Sequence, residues 1–209
     1  MQQTTISMIL YKAIRKLVEI IQSPFYTPIA YLMLFLNGVK IGNGLSVLGL
    51  IKVMVTRRGE VIVGKNLRIN SGNNYNIIGR QQKTILWVEG KLTIGDNVGL
   101  SSMAIICNHS ITIGNNVVIG GNTVIYDTDF HSLDPLIRNS DQDQKYAKKK
   151  LVLIGDNVFI GAHTTILKGV TIGNNAIIGA CSVIAKDIPA NEIWAGNPAR
   201  FIKTIDSIK

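Results

Sequence analysis

Cysteine is nearly missing from this chain, and the little present cannot brace it. Only Cys107 and Cys181 occur in 209 residues. They are too few and too far apart for a disulfide framework or a CxxC metal knuckle, so two reduced thiols in a cytoplasmic setting are expected. Aromatic residues are scarce at 6% against 46% hydrophobic, which excludes a core built on large rings and leaves one of small aliphatics. No apolar run approaches the roughly 20 residues of a membrane-spanning helix; the longest is Ile29 to Leu36, IAYLMLFL. No basic leader with an apolar core and a small-residue cleavage site opens the chain, so no secretory signal is expected. Polar low-complexity stretches are also missing, which favours one main domain. Acidic residues are outnumbered, 13 against 22 basic, and the net charge of +9 favours anionic partners: nucleic acid, an anionic membrane surface or a phosphorylated cofactor. Charge alone does not choose among these.

What the chain does have is 20 glycines and a period. The tetrad Ile-Gly-Asp/Asn-Asn starts at Ile94, Ile113, Ile154 and Ile172, with spacings of 19, 41 and 18. An aliphatic returns at every sixth position: Ile113, Ile119, Ile125; Ile154, Ile160, Ile166; Ile172, Ile178, Ile184. A six-residue unit with one large aliphatic and a glycine or asparagine corner is too short for a helix and fits a short strand plus a bend. Three such sides close an 18-residue coil, and stacked coils merge their aliphatics into one core while parallel pairing satisfies the backbone. Ile41, Val47 and Val53 read as an earlier coil, Val63 and Ile69 as the start of another, and Arg80 to Gly90 as an extended excursion before Leu92. About six coils are expected.

Ahead of the repeats, Ile6 to Gln22 reads as an amphipathic helix ended by Ser23-Pro24,. A second short helix is expected from Thr27 as N-cap, with Pro28 at its first position, to Asn37-Gly38,. Residues 1–38 thus form a helical cap on the open end of a domain spanning 39–209. The basic helix also suits an anionic membrane face.

Three histidines occur. His109 falls where the hexad count gains a residue, and His163 occupies a corner position equivalent to Asn122 one coil earlier. His131 differs, because the hexads stop after Phe130 and resume near Ile154, so 131–153 must leave the coil surface as a loop. A histidine rooted on a rigid scaffold yet open to solvent suits a general base. Asp127, Asp129 and Asp134 stand around it to hold its second nitrogen, with Asp129 favoured. Lys148 to Lys150 could help to hold an anionic substrate.

The run from Ile154 to Ile205, ending in VIAKDIPANEIWAGNPAR, resembles the hexapeptide-repeat acyltransferases, including galactoside, maltose, streptogramin and capsule or lipopolysaccharide sugar acetyltransferases. The resemblance spans about Ile41 to Ile205, and YDTDFHSLDP is most similar to the sugar O-acetyltransferase branch linked to surface polysaccharides. It implies an all-β fold, a left-handed parallel β-helix, assembled as a homotrimer with acetyl-coenzyme A between subunits and no metal or nucleic acid. It also implies that His131 takes the proton of an acceptor hydroxyl, which attacks the thioester directly. The positions matching acceptor contacts are Ser102 and Asn108. Those matching coenzyme contacts are Ala162, Ala180, Ala185, Arg200 and Lys203, with Lys168 and Lys186 nearby, and Trp194 packs the C-terminal segment. The expected function is acetyl transfer to a sugar hydroxyl in the cytoplasm, with peripheral contact at the inner membrane face. Acetylation of an amino sugar or a drug-like acceptor is a close variant. A zinc enzyme of the carbonic-anhydrase kind would use the same solenoid, but its close histidine pair is lacking, since the histidines lie 22 and 32 residues apart. A non-catalytic scaffold is the remaining class.

Overall fold

The computed structural model describes residues 5–76, 78 and 82–205. Six turns of chain, 40–55, 60–88, 91–107, 110–126, 152–166 and 171–184, each give one strand to each of three parallel sheets. The inward hexad positions explain the stacking. On one side Ile41, Val63, Ile94, Ile113, Ile154 and Ile172 lie in register. On the second Val47, Ile69, Leu100, Ile119, Ile160 and Ile178 do so. On the third the ladder is Val53, Leu86, Ile105, Ile125, Ile166 and Ile184. Nearly all are buried in one continuous core, each contributing about 1.5–3 kcal/mol of hydrophobic stabilisation.

The tetrad now has a physical reading. Its isoleucine faces inward, and its glycine lets the next coil approach: a methyl on Gly114 would stand 2.8 Å from the Gly155 carbonyl carbon. Its third residue caps a neighbouring amide, as when Asn115 Oδ1 accepts from Asp96 N at 2.8 Å and Asp156 Oδ1 from Asn115 N at 2.6 Å. Its fourth is an asparagine at positive φ, tolerated there because its short polar side chain bonds locally,. Side-chain amides link these corners into a ladder, Asn66 to Asn97, Asn116, Asn157, Asn175 and Asn191, at 2.8–3.1 Å.

Two expectations are corrected. Part of Arg80 to Gly90 lies outside the described residues, but Ile85–Val88 is a regular strand, paired on both sides. The two expected helices are one, α1 (Ile6–Leu36), continuing through Pro24 and Pro28. An internal proline costs a helix about 3 kcal/mol, and tertiary contacts of the last turns oppose that cost. Ala30 and Leu34 are buried in the core. Thr27 is no N-cap: its hydroxyl accepts from Val47 N at 3.0 Å, on the open edge of the first coil. Asn37 Oδ1 likewise accepts from Val55 N at 3.1 Å. Beyond these turns many of the helix's apolar side chains, among them Ile9, Leu10, Ile14 and Leu17, are exposed. Among the described residues no helix is long and apolar enough to cross a membrane.

The far end closes with a hairpin. Glu192–Gly196 extends the second sheet, and Ala199–Thr204 returns antiparallel to it. Trp194 sits on Ile178 in the core, edge-to-face with Phe201 at 6.3 Å.

Candidate active site

The chain leaves the last strand before the loop after Tyr126, ahead of the expected 131, and re-enters at Val152, just before Ile154, where the hexads were expected to resume. The root of this loop is pinned to itself. Thr128 bridges Lys149, Asp129 N donates to Lys148 O at 3.0 Å, and Lys150 N donates to Asp127 O at 2.9 Å. Phe130 then turns at φ 62°, and its amide donates to Thr128 Oγ1 at 3.1 Å. Two short helices follow, α2 (Pro135–Arg138), capped by Asp134, and α3 (Asp143–Tyr146).

His131 stands at this turn with 65% of its side chain exposed. Its Nδ1 lies 2.6 Å from Oδ2 of Asp143, whose Oδ1 accepts from Ser132 N at 2.7 Å. The imidazole hydrogen bond, then the Ser132 amide, hold the Asp143 carboxyl below the usual carboxylate range. An ionised carboxylate accepts only, so Nδ1 carries the proton in neutral His131 and Nε2 keeps its lone pair. That is the tautomer of a base whose second nitrogen is steadied by an acid.

The steadying carboxylate is therefore Asp143, and the expectation of Asp129 is corrected. Asp129 Oδ1 meets Lys168 Nζ at 2.5 Å and ties the loop root to the next coil. Lys168, expected to meet coenzyme phosphate, is committed to that pair. Asp127 is buried beneath, where its two oxygens accept from Asn108 N and His109 N, each at 2.7 Å. This is where the hexad count gains its residue. Asp134 caps α2, its Oδ1 accepting from Leu136 N at 2.8 Å. Below Asn108, burial and then the Asp127 charge push the Cys107 thiol up to about 12, so it is no nucleophile near neutral pH.

His131 lines a cavity of about 400 Å³ with Trp87, Ile106, Asn108, Phe130 and Lys149. Asn108 Nδ2 donates to Glu89 Oε2 at 2.9 Å, which places an amide and a carboxylate together on the wall. Two aromatic faces beside such polar groups suit a sugar ring. Ser102, expected to share this wall, is elsewhere: it is fully buried, accepting from Gly72 N at 3.0 Å. Trp87, Glu89 and Asp143 were not legible as site residues. The first two lie in the stretch read as an excursion from the repeat, and no fixed spacing links Asp143 to His131.

The residues expected at the coenzyme fall on two neighbouring features. Ala162 and Ala180 stack at one corner, where Cys181 N donates to Ala162 O at 2.8 Å, and Ala180 is exposed. His163 shares that corner at φ 61°. Ala185 and Lys186 are exposed after the last coil strand, with Lys186 Nζ 5.0 Å from the Trp194 ring centroid. Arg200 and Lys203 are exposed on the closing hairpin. Among the described residues no three His, Cys, Asp or Glu side chains form a set able to hold a metal ion.

The repeat geometry has known counterparts. Residues 152–186, two strands-and-corner coils after the loop, match the family described as bacterial transferase hexapeptide (six repeats). Residues 91–127 match the hexapeptide repeat of succinyl-transferase. WbbJ of Escherichia coli, named as a lipopolysaccharide biosynthesis O-acetyl transferase, is 30% identical over 149 residues, or 69% of this chain and 72% of WbbJ. The chain belongs to the hexapeptide-repeat transferase family. Within that family, the galactoside O-acetyltransferase of Escherichia coli is 35% identical over 129 residues, 57% of this chain and 61% of that protein. The chain spans about half the length of several other curated relatives that it matches. AntD, an N-acyltransferase from Bacillus cereus solved with dTDP and 3-hydroxybutyryl-CoA, superposes with a TM-score of 0.60 at 25% identity, covering 80% of this chain and 83% of AntD.

Proposed function

We propose that this hexapeptide-repeat protein transfers an acetyl group from acetyl-coenzyme A to a hydroxyl of a sugar, a surface polysaccharide or its precursor. The observation that carries the reading is the His131–Asp143 pair at the mouth of a cavity walled by Trp87, Phe130, Glu89 and Asn108. His131 Nε2 takes the acceptor's hydroxyl proton as the oxygen bonds to the thioester carbonyl carbon. The carbon–sulfur bond then breaks, and the imidazolium returns the proton to the departing thiolate. Asp143 favours the imidazolium formed on the way. Backbone amides stabilise the oxyanion. Asn108 contacts the acceptor. Ala162, Ala180 and Ala185 let amides reach the pantetheine arm, and Lys186, Arg200 and Lys203 meet the coenzyme phosphates.

The coil sense we propose is left-handed and the assembly a homotrimer, with the coenzyme groove between subunits. The basic, apolar face of α1 rests against the inner membrane face or another subunit. N-acylation of an amino sugar is the second reading, supported by the likeness to AntD. Release of free thiol from acetyl-coenzyme A, followed over an acceptor panel of sugars and amino sugars, tests both. His131→Ala is expected to lower turnover by on the order of a hundredfold or more while coenzyme binding persists. Full turnover in that variant contradicts the assignment.

A further inference from the structure

A second cavity, of about 420 Å³, adjoins the one that His131 lines, and the two share Glu89, Asn108 and Lys149. Its remaining walls are Thr56, Arg57 and Arg58. The arginines project from a turn that the fold pins: Thr56 N donates to Val88 O at 2.9 Å, Gly59 N to Thr56 O at 3.0 Å, and the Asn37 side chain holds Val55 N. Arg57, Arg58 and Lys149 are exposed, and among the described residues none of them pairs with a carboxylate. The one acid in the cavity, Glu89, is engaged by Asn108 Nδ2 and by Trp87 Nε1. Three cations against one acid leave the cavity positive, and it has room for more than a single carboxylate.

Three like cations gathered about a single acid repel one another, and a bound polyanion relieves that repulsion. Two guanidinium forks beside an ammonium match the oxygens of a phosphate or diphosphate ester. We infer that Arg57, Arg58 and Lys149 form a subsite for the phosphates of an acceptor sugar activated as a phosphate or diphosphate ester, its ring lying between Trp87 and His131. This specifies the acceptor class and rests on the acetyl-transfer reading above. The product is then an acetylated activated sugar, which a glycosyl-transfer reaction must consume.

The test has a binding arm and a turnover arm, both on the full chain. Calorimetric titration with inorganic pyrophosphate is expected to show binding that weakens about tenfold or more in the Arg57→Ala/Arg58→Ala double variant and persists in His131→Ala. In the second arm, thiol release from acetyl-coenzyme A is compared for a free hexose, a nucleoside-diphosphate hexose and a prenyl-diphosphate hexose. One of the diphosphate acceptors is expected to exceed the free hexose in kcat/KM by about a hundredfold, an advantage lost in the double variant while turnover of the free hexose is unchanged. Which diphosphate is preferred tells a nucleotide from a lipid carrier. Pyrophosphate binding equal in wild type and double variant, or equal use of all three acceptors, overturns the subsite and leaves the acyltransferase reading standing. Pyrophosphate binding that depends on the arginines, with no thiol released for any acceptor, sustains the subsite and removes that reading.

Discussion

At the scale of single residues, the chemistry turns on which group holds His131 Nδ1. Asp143 does so through a 2.6 Å hydrogen bond and anchors its other oxygen on the Ser132 amide. Asp143→Asn keeps the shape and removes the charge. It is expected to lower kcat by roughly tenfold or more with little change in KM, whereas a merely structural role would move melting temperature and leave kcat alone. The pH dependence follows from the direction of the shift. A carboxyl held below its usual range in the folded chain stabilises the fold above its unfolded pKa, about 3.9, and that contribution is lost as pH falls through the folded value. In denaturant titrations the stability difference between wild type and Asp143→Asn is therefore expected to be present at about pH 5 and to shrink in stronger acid, as pH falls through the folded value. A difference that stayed undiminished at the lowest pH would contradict the ionised Asp143. The sequence pointed to His131, because the period breaks there. It could not point to Asp143, because an aperiodic loop gives no rule for which of its carboxylates folds back.

At the scale of elements, the solenoid is a set of close backbone approaches repeated coil by coil. A methyl at Gly161 would stand 2.5 Å from Ala180 N, backbone against backbone, while one at Gly99 meets nothing within 4 Å. Gly161→Ala is expected to destabilise by about 1–3 kcal/mol and Gly99→Ala to be close to neutral, as thermal denaturation of the two variants would report. Equal effects would contradict the stacking. The coils that carry the tetrad were legible because each repeats the same inward isoleucine and the same asparagine corner, so four weak signals reinforce one another. Local signals with no repeats behind them were less reliable. Pro24 and Pro28 argued for a helix break, and packing of Ala30 and Leu34 with the Thr27 and Asn37 contacts overrode them. The irregular stretch before Leu92 masked the Ile85–Val88 strand because Ile69 and Leu86, the inward residues of consecutive sides, stand 17 residues apart where the hexad expects six.

At the scale of the whole molecule, a row of stacked coils carries the loop from Asp127 to Leu151, and that loop and the coils before it wall the cavity that His131 lines. A homotrimer would set the coenzyme groove between such rows. Sedimentation equilibrium is expected to give a mass about three times the 22.8 kDa chain, and a monomer at micromolar concentration would contradict that assembly. Family membership, the parallel coils and the loop histidine all point to acyl transfer, and one measurement tests that claim most directly: thiol release from acetyl-coenzyme A over a sugar acceptor panel, for wild type and His131→Ala together. Acceptor-dependent release by the wild type is expected, with a loss on the order of a hundredfold in the variant and coenzyme binding retained. Acceptor-dependent release that survives undiminished in His131→Ala would contradict the claim.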